Sequence, residues 1–178
     1  AYFMAHLMTN KQLTIDNIDC VENLHYTPLE GKYLKVLYVK TLFIYLAFMV
    51  LALFLLLADT FNYRYLTVVG MEGVLLIALV VNFFLLPKAF AYKGFAIREH
   101  DITYRSGLFF PSVTTIPFCK IQQVSVRQNL ITRMFGLYTI DIVNGAQLLA
   151  NTSIPGLAEE KANEIKVLII ESIRNEGK

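Results

Sequence analysis

The chain has 178 residues, 56% of them hydrophobic and 17% charged, with a mean hydropathy of +0.50 and a net charge of +2. That balance excludes a disordered polar chain and a strongly basic nucleic-acid binder. With only two cysteines, a small disulfide-held scaffold is excluded as well.

Taken in order, Ala1–Leu7 reads as an appended remnant ahead of Met8, which begins a plausible natural start, and the segment is set aside from the fold. Residues 8–35 are polar and mildly acidic, with Ile15, Ile18 and Leu24 as the regular apolar spacing. They are expected to form an N-terminal arm, either a short surface helix or an extended segment. Cys20 and His25 lie there, but two isolated ligand types do not make a metal site.

Residues 36–87 hold two long apolar runs, 36–58 and 65–86, joined by the polar turn Asp59–Arg64. Thr41 to Ala58 is eighteen residues without a charge. At about 1.5 Å per residue such a helix is roughly 27 Å long, close to the thickness of a bilayer's hydrocarbon core. A buried helix pair in a soluble core would need a polar face or a larger protein around it. The reading is therefore a transmembrane helical hairpin, with Pro87-Lys88 expected to end its second helix.

Lys32, Lys35 and Lys40 precede the hairpin and Lys88, Lys93 and Arg98 follow it, while the connecting loop carries only Arg64 against Asp59. By the positive-inside rule this places both termini of a multi-pass membrane protein in the cytoplasm. Cys20 and Cys119 are then expected as free thiols. Inside the membrane Glu72 stands out, because a carboxylate deep in a bilayer costs about 2.5–3.5 kcal/mol. Either it reaches the outer surface or it meets another helix, and Gly70 and Gly73 beside it would permit a close approach. Gly70, Glu72 and Gly73 are the candidate intramembrane contact.

From Gly94 the pattern alternates. Phe95 and Ile97, then Ile102 and Tyr104, Val124 and Val126, and Tyr138, Ile140 and Ile142 recur at period two, which predicts antiparallel strands with one buried face. Turn signals separate them at Glu99–Asp101, Phe110–Ser112, Pro117–Lys120 and Asn144–Ala146. Gln128–Phe135 breaks the alternation and predicts one helical turn before Gly136. Gln147–Ile154 is the last strand, ended by Pro155-Gly156. The final segment, 158–175, turns helical: Ala158, Ala162, Ile165, Ile169 and Ile173 form a stripe that Leu168 widens. The expected fold class is an α+β membrane protein, a two-helix transmembrane hairpin followed by a small antiparallel sheet structure closed by a C-terminal helix.

Catalytic signatures are lacking: there is no nucleophile elbow, phosphate-cradling glycine loop or HExxH, and Glu99, His100 and Asp101 read as a solvated turn. No enzyme activity, cofactor, metal or nucleic-acid partner is expected. Between Lys88 and Gly156 seven basic residues face three acidic ones, so the positive excess sits next to the membrane. Arg98, Arg105, Arg127 and Arg133 are the candidate contacts to anionic lipid headgroups. Arg133, set among Leu130, Ile131 and Phe135, either anchors its turn through carbonyls or meets a phosphate.

The run Gly94–Leu108, then Thr115–Phe118, Ile121–Val124, Arg133–Leu137 and Ile154–Leu157, resembles the bacterial PH-like membrane-flanked domain of the YdbS and YdbT type. Pro28-Leu29 and Tyr33-Leu34 resemble the YdbS form, a hairpin followed by one such domain. The resemblance implies a PH-like β-sandwich over 88–178 capped by the C-terminal helix. It also implies a place in the bacterial cytoplasmic membrane, assembly with a YdbT-like membrane protein, and resistance to membrane-active bacteriocin peptides; a homo-oligomer is the other assembly, expected from Glu72 and its flanking glycines.

Overall fold

The computed structural model describes residues 24–57, 63–145 and 151–176. The expected remnant, most of the arm with Cys20, residues 59–62 of the hairpin turn and residues 147–150 of the last strand lie outside them. Helix α1 spans Lys32–Leu53 and runs into a 3-10 turn at Phe54–Leu57; helix α2 spans Arg64–Tyr92. The most apolar eighteen-residue stretches of the two spans have mean hydropathies of 2.4 and 2.3. At about 1.5 Å per residue α2 is roughly 43 Å long, more than a bilayer core needs, so its last turns extend beyond it. The two helices pack side by side through Tyr38 and Phe83, with rings 4.2 Å apart. An Asn82 to Tyr45 hydroxyl hydrogen bond of 3.4 Å gives the polar Asn82 a partner.

Contrary to the expected stop at Pro87-Lys88, α2 continues through Pro87 to Tyr92. Proline removes one backbone donor, a defect that a membrane-embedded helix tolerates when neighbouring groups hold the turns beyond it. Those turns are held by tertiary contact: the Phe90 ring lies 6.5 Å from that of Tyr33 near the start of α1.

The rest is two antiparallel sheets and two helices. The first sheet has the order β1-β2-β3-β4, with β1 Thr27–Pro28, β2 Gly94–Ile97, β3 Asp101–Ser106 and β4 Ser112–Pro117. The second is β5-β6-β7, with β5 Ile121–Arg127, β6 Tyr138–Asn144 and β7 Thr152–Leu157. A short helix α3, Leu130–Met134, joins β5 to β6, and α4, Glu159–Glu176, packs on β5 and β6. This is the PH-like α+β arrangement with a membrane hairpin that the motifs implied.

Strand β1 precedes the hairpin yet pairs with β2, which follows it: Thr27 lies opposite Phe95 and Pro28 opposite Gly94. A proline suits this position, because an edge strand can spare a donor. Residues 24–36 are thus built into the domain, not a separate arm ending at residue 35. Leu29, Tyr33 and Val36 are buried in one core with Phe95, Ile102, Phe118, Ile140, Ile154, Leu157 and Ile169. The pairing also brings both open ends of the hairpin to one side.

Two further boundaries differ from expectation. The last strand runs through Pro155 and Gly156 to Leu157, because Gly156 at φ +71 bends the strand without ending it. On α4, Ala162, Ile165 and Ile169 are buried as the spacing predicts, but Leu168 stays 41% exposed, so the buried stripe is narrower than the apolar one.

Candidate membrane-interface site

Register sorts the domain's loops into two ends. Gly94, two residues after α2, pairs with Arg105, so the β3–β4 turn at 107–111 lies beside the hairpin. The β2–β3 turn lies at the far end with the 3-10 turn Phe118–Lys120, linked by Phe118 N–H donating to the His100 carbonyl at 2.9 Å. Gly145 joins them there through a 3.0 Å bond to the Lys120 carbonyl. Helix α3 returns to the hairpin end and packs on α1.

The four candidate arginines do not converge. At the far end Arg98 forms a two-pronged pair with Asp101, at 2.8 and 2.7 Å, so the expected turn residue Asp101 opens β3 and holds a strand end. Arg105 is at the hairpin end, with its guanidinium 4.2 Å from the Tyr26 ring centre and 4.5 Å from that of Tyr92. Its Nε also donates to the Tyr92 carbonyl at 3.0 Å. A cation near two rings that satisfies a helix-terminal carbonyl is a structural clamp joining the chain before the hairpin to the last residue of α2. Arg127 pairs with Asp141, which also accepts from the Ser153 hydroxyl. Arg133 is exposed on α3. The α3 turn is held instead by Asn129 and Thr132: Asn129 N–H donates to Thr132 Oγ1 at 2.8 Å within a capping box.

Replacing Arg105 by Ala is therefore expected to lower domain stability by about 1–2 kcal/mol, the scale of a desolvated cation–π contact plus a charged hydrogen bond. The check is the thermal midpoint of the detergent-solubilised chain. A wild-type midpoint would remove the clamp assignment.

Two other groups at this junction have altered acidity. Burial, aided by the positive charge of Lys40, lowers the Lys93 ammonium from its ordinary value, and its Nζ sits 5.7 Å from the Tyr33 ring centre. Burial, with the Tyr33 phenol adding to it, pushes Tyr104 up to about 12.

Within the hairpin the intramembrane trio divides. Glu72 falls one turn after the buried Val68. One of its carboxyl oxygens, Oε1, is buried with no hydrogen-bond partner among the described residues. Gly70 and Gly73 instead lie on open surface, where an added Cβ would meet nothing within 4 Å. Two adjoining grooves of about 460 and 480 Å³ run along the hairpin and share Phe48 and Leu75. Tyr45 and Asn82 line the second.

Sequence reading passed over four exposed apolar side chains at the hairpin end. Phe109 and Phe110 are 70% and 90% exposed, and Leu130 and Met134 are 85% and 82% exposed. The Phe110-Pro111 turn signal hid the first pair, and the apolar context of α3 hid the second. Cys119 is a free, exposed thiol. No group of three metal-ligating side chains occurs among the described residues.

Comparison with known proteins places this geometry in a family. The chain matches the Bacterial PH domain family over residues 34–173. It is 27% identical over 108 residues to the transmembrane protein YdbS of Bacillus subtilis (strain 168), covering 60% of this chain and 65% of that one. To the transmembrane protein YdbT of the same organism it is 30% identical over 93 residues, covering 49% of this chain and 19% of that one. The matched stretch thus spans less than two thirds of either relative. No solved structure matches the chain. The family match begins at Leu34 in α1 and takes in both membrane-length helices, all strands from β2 onward and most of α4; the chain belongs to the bacterial PH domain family and is a YdbS-like membrane protein.

Proposed function

We propose that this membrane-associated PH-like module is an interaction protein of the bacterial cytoplasmic membrane that assembles with itself or with a YdbT-like membrane protein. Its domain and both termini face the cytoplasm, as the lysines flanking the hairpin favour. Through that assembly it contributes to resistance to membrane-active bacteriocin peptides. The observation that carries the reading is Glu72, whose buried carboxyl oxygen has no hydrogen-bond partner among the described residues. In hydrocarbon such a group gains from a donor on another helix, and the adjoining grooves offer a surface along which that helix could pack.

Recognition of anionic headgroups by Arg98, Arg105, Arg127 and Arg133 is the weaker reading. Three of the four are engaged by Asp101, by Tyr26 with Tyr92, and by Asp141, and they lie at both ends of the domain.

The test is mass determination in mild detergent, with identification of co-purifying membrane proteins. Glu72→Leu is expected to weaken the complex by about 0.6–2 kcal/mol, or roughly 3- to 30-fold in association constant. An unchanged mass and unchanged partners would sink the Glu72 contact.

A further inference from the structure

The hairpin end of the domain carries apolar side chains that the fold does not use. In the β3–β4 turn Phe109 and Phe110 project outward. The turn's shape demands glycine at 107, with φ +87, because a Cβ there would collide with the Phe110 carbonyl. On α3, Leu130 and Met134 are one turn apart on the outer side, whereas Ile131 and Phe135 pack against the core and Thr132 is buried. Residues of this size at 70–90% exposure cost solubility unless something covers them.

Position identifies the cover. The β3–β4 turn starts two residues nearer the hairpin than the Gly94–Arg105 pair, and Arg105 is hydrogen-bonded to Tyr92 at the end of α2. The apolar run of α2 ends at Leu86, six residues and about 9 Å of helix below Tyr92. Two strand-turn residues and a phenyl ring cover that distance at about 3.3 Å per residue. Helix α3 packs directly on α1. Both apolar groups therefore lie at the hairpin end of the domain, and Arg133 is exposed on α3 between Leu130 and Met134 in sequence.

We propose that Phe109 and Phe110 in the β3–β4 turn and Leu130 and Met134 on α3 are two apolar prongs that insert into the interfacial layer of the membrane the hairpin crosses. They seat the hairpin end of the domain in the bilayer surface, adding to the link that the base of α1 already makes with the domain core. This docking is independent of assembly through Glu72.

The chain contains no tryptophan, so one introduced indole reports its own surroundings. Phe110→Trp and Leu130→Trp, in the full chain reconstituted at high lipid excess into phosphatidylcholine vesicles, should emit at short wavelength and resist iodide. Lipids brominated near the top of the acyl chain should quench them about twofold, since interfacial apolar groups sit roughly 5–10 Å deep. Lys120→Trp, at the far end of the domain, should be quenched by iodide alone. Phe110→Trp behaving like Lys120→Trp would overturn the proposal. So would shielding from iodide without quenching by bromolipid, which would assign the cover to protein. Both prong positions are solvent-exposed, and retained thermal midpoints verify that the variants fold.

Discussion

Residues 88–178 expressed alone are expected not to fold cooperatively, although they contain six of the seven strands and the C-terminal helix. The fragment lacks β1 and three core side chains, Leu29, Tyr33 and Val36, which are 5%, 9% and 4% exposed in the whole chain. At roughly 1.5–3 kcal/mol for each large apolar side chain, the loss is about 5–9 kcal/mol. A domain of this size has only about 5–15 kcal/mol of net stability. Circular dichroism on heating should show a broad, non-cooperative transition. Joining residues 24–37 to residues 90–178 through a short polar linker in place of the hairpin should restore a sharp one. A sharp transition in the short fragment at the midpoint of the joined chain would show that the helix base is dispensable.

Gly156→Ala is expected to cost about 2–4 kcal/mol, combining a left-handed backbone at φ +71 with overpacking. The added Cβ would lie 2.5 Å from Cγ and 2.7 Å from Cβ of Tyr33, which is fixed at the base of α1. The same junction carries a 3.0 Å hydrogen bond from Glu30 N–H to the Gly156 carbonyl, so displacement of the strand strains two links between helix base and sheet. Tyr33→Ala is independently expected to cost about 3–5 kcal/mol as a large-to-small core change. Because Tyr33→Ala removes most of what the new methyl strikes, the double variant should lose less than the sum of the two. Thermal unfolding of the detergent-solubilised variants supplies the cycle. Strict additivity would show that Gly156 and Tyr33 do not meet.

The strand and helix assignments were legible wherever one face is buried. In β6, Ile140 and Ile142 are fully buried at period two, and in α4, Ala162, Ile165 and Ile169 at helical spacing. Two of the readings that the structure changed turn on a partner elsewhere in the chain, and a third on helix geometry. Pro87 reads as a helix stop because local rules see the missing donor but not Phe90 packing near Tyr33. Arg105 reads as a surface cation because its alternation in β3 gives no sign of Tyr26 and Tyr92 on either side. Gly70, Glu72 and Gly73 read as one cluster from adjacency, yet 100° of rotation per residue sends the carboxyl and the glycines to different faces.

The sequence by itself determined that there are two membrane-length helices, that alternating strands follow them, and that an amphipathic helix ends the described chain. Continuous apolar runs and periods of 2 and 3.6 are local properties, written in consecutive residues. Only the tertiary structure decided that the chain before the hairpin completes the sheet after it and that the base of α1 belongs to the domain core. It alone placed Arg105 between two tyrosines and gathered Phe109, Phe110, Leu130 and Met134 at the hairpin end. Those outcomes depend on strand register and helix contact between segments from thirteen to more than a hundred residues apart, to which local patterning is blind.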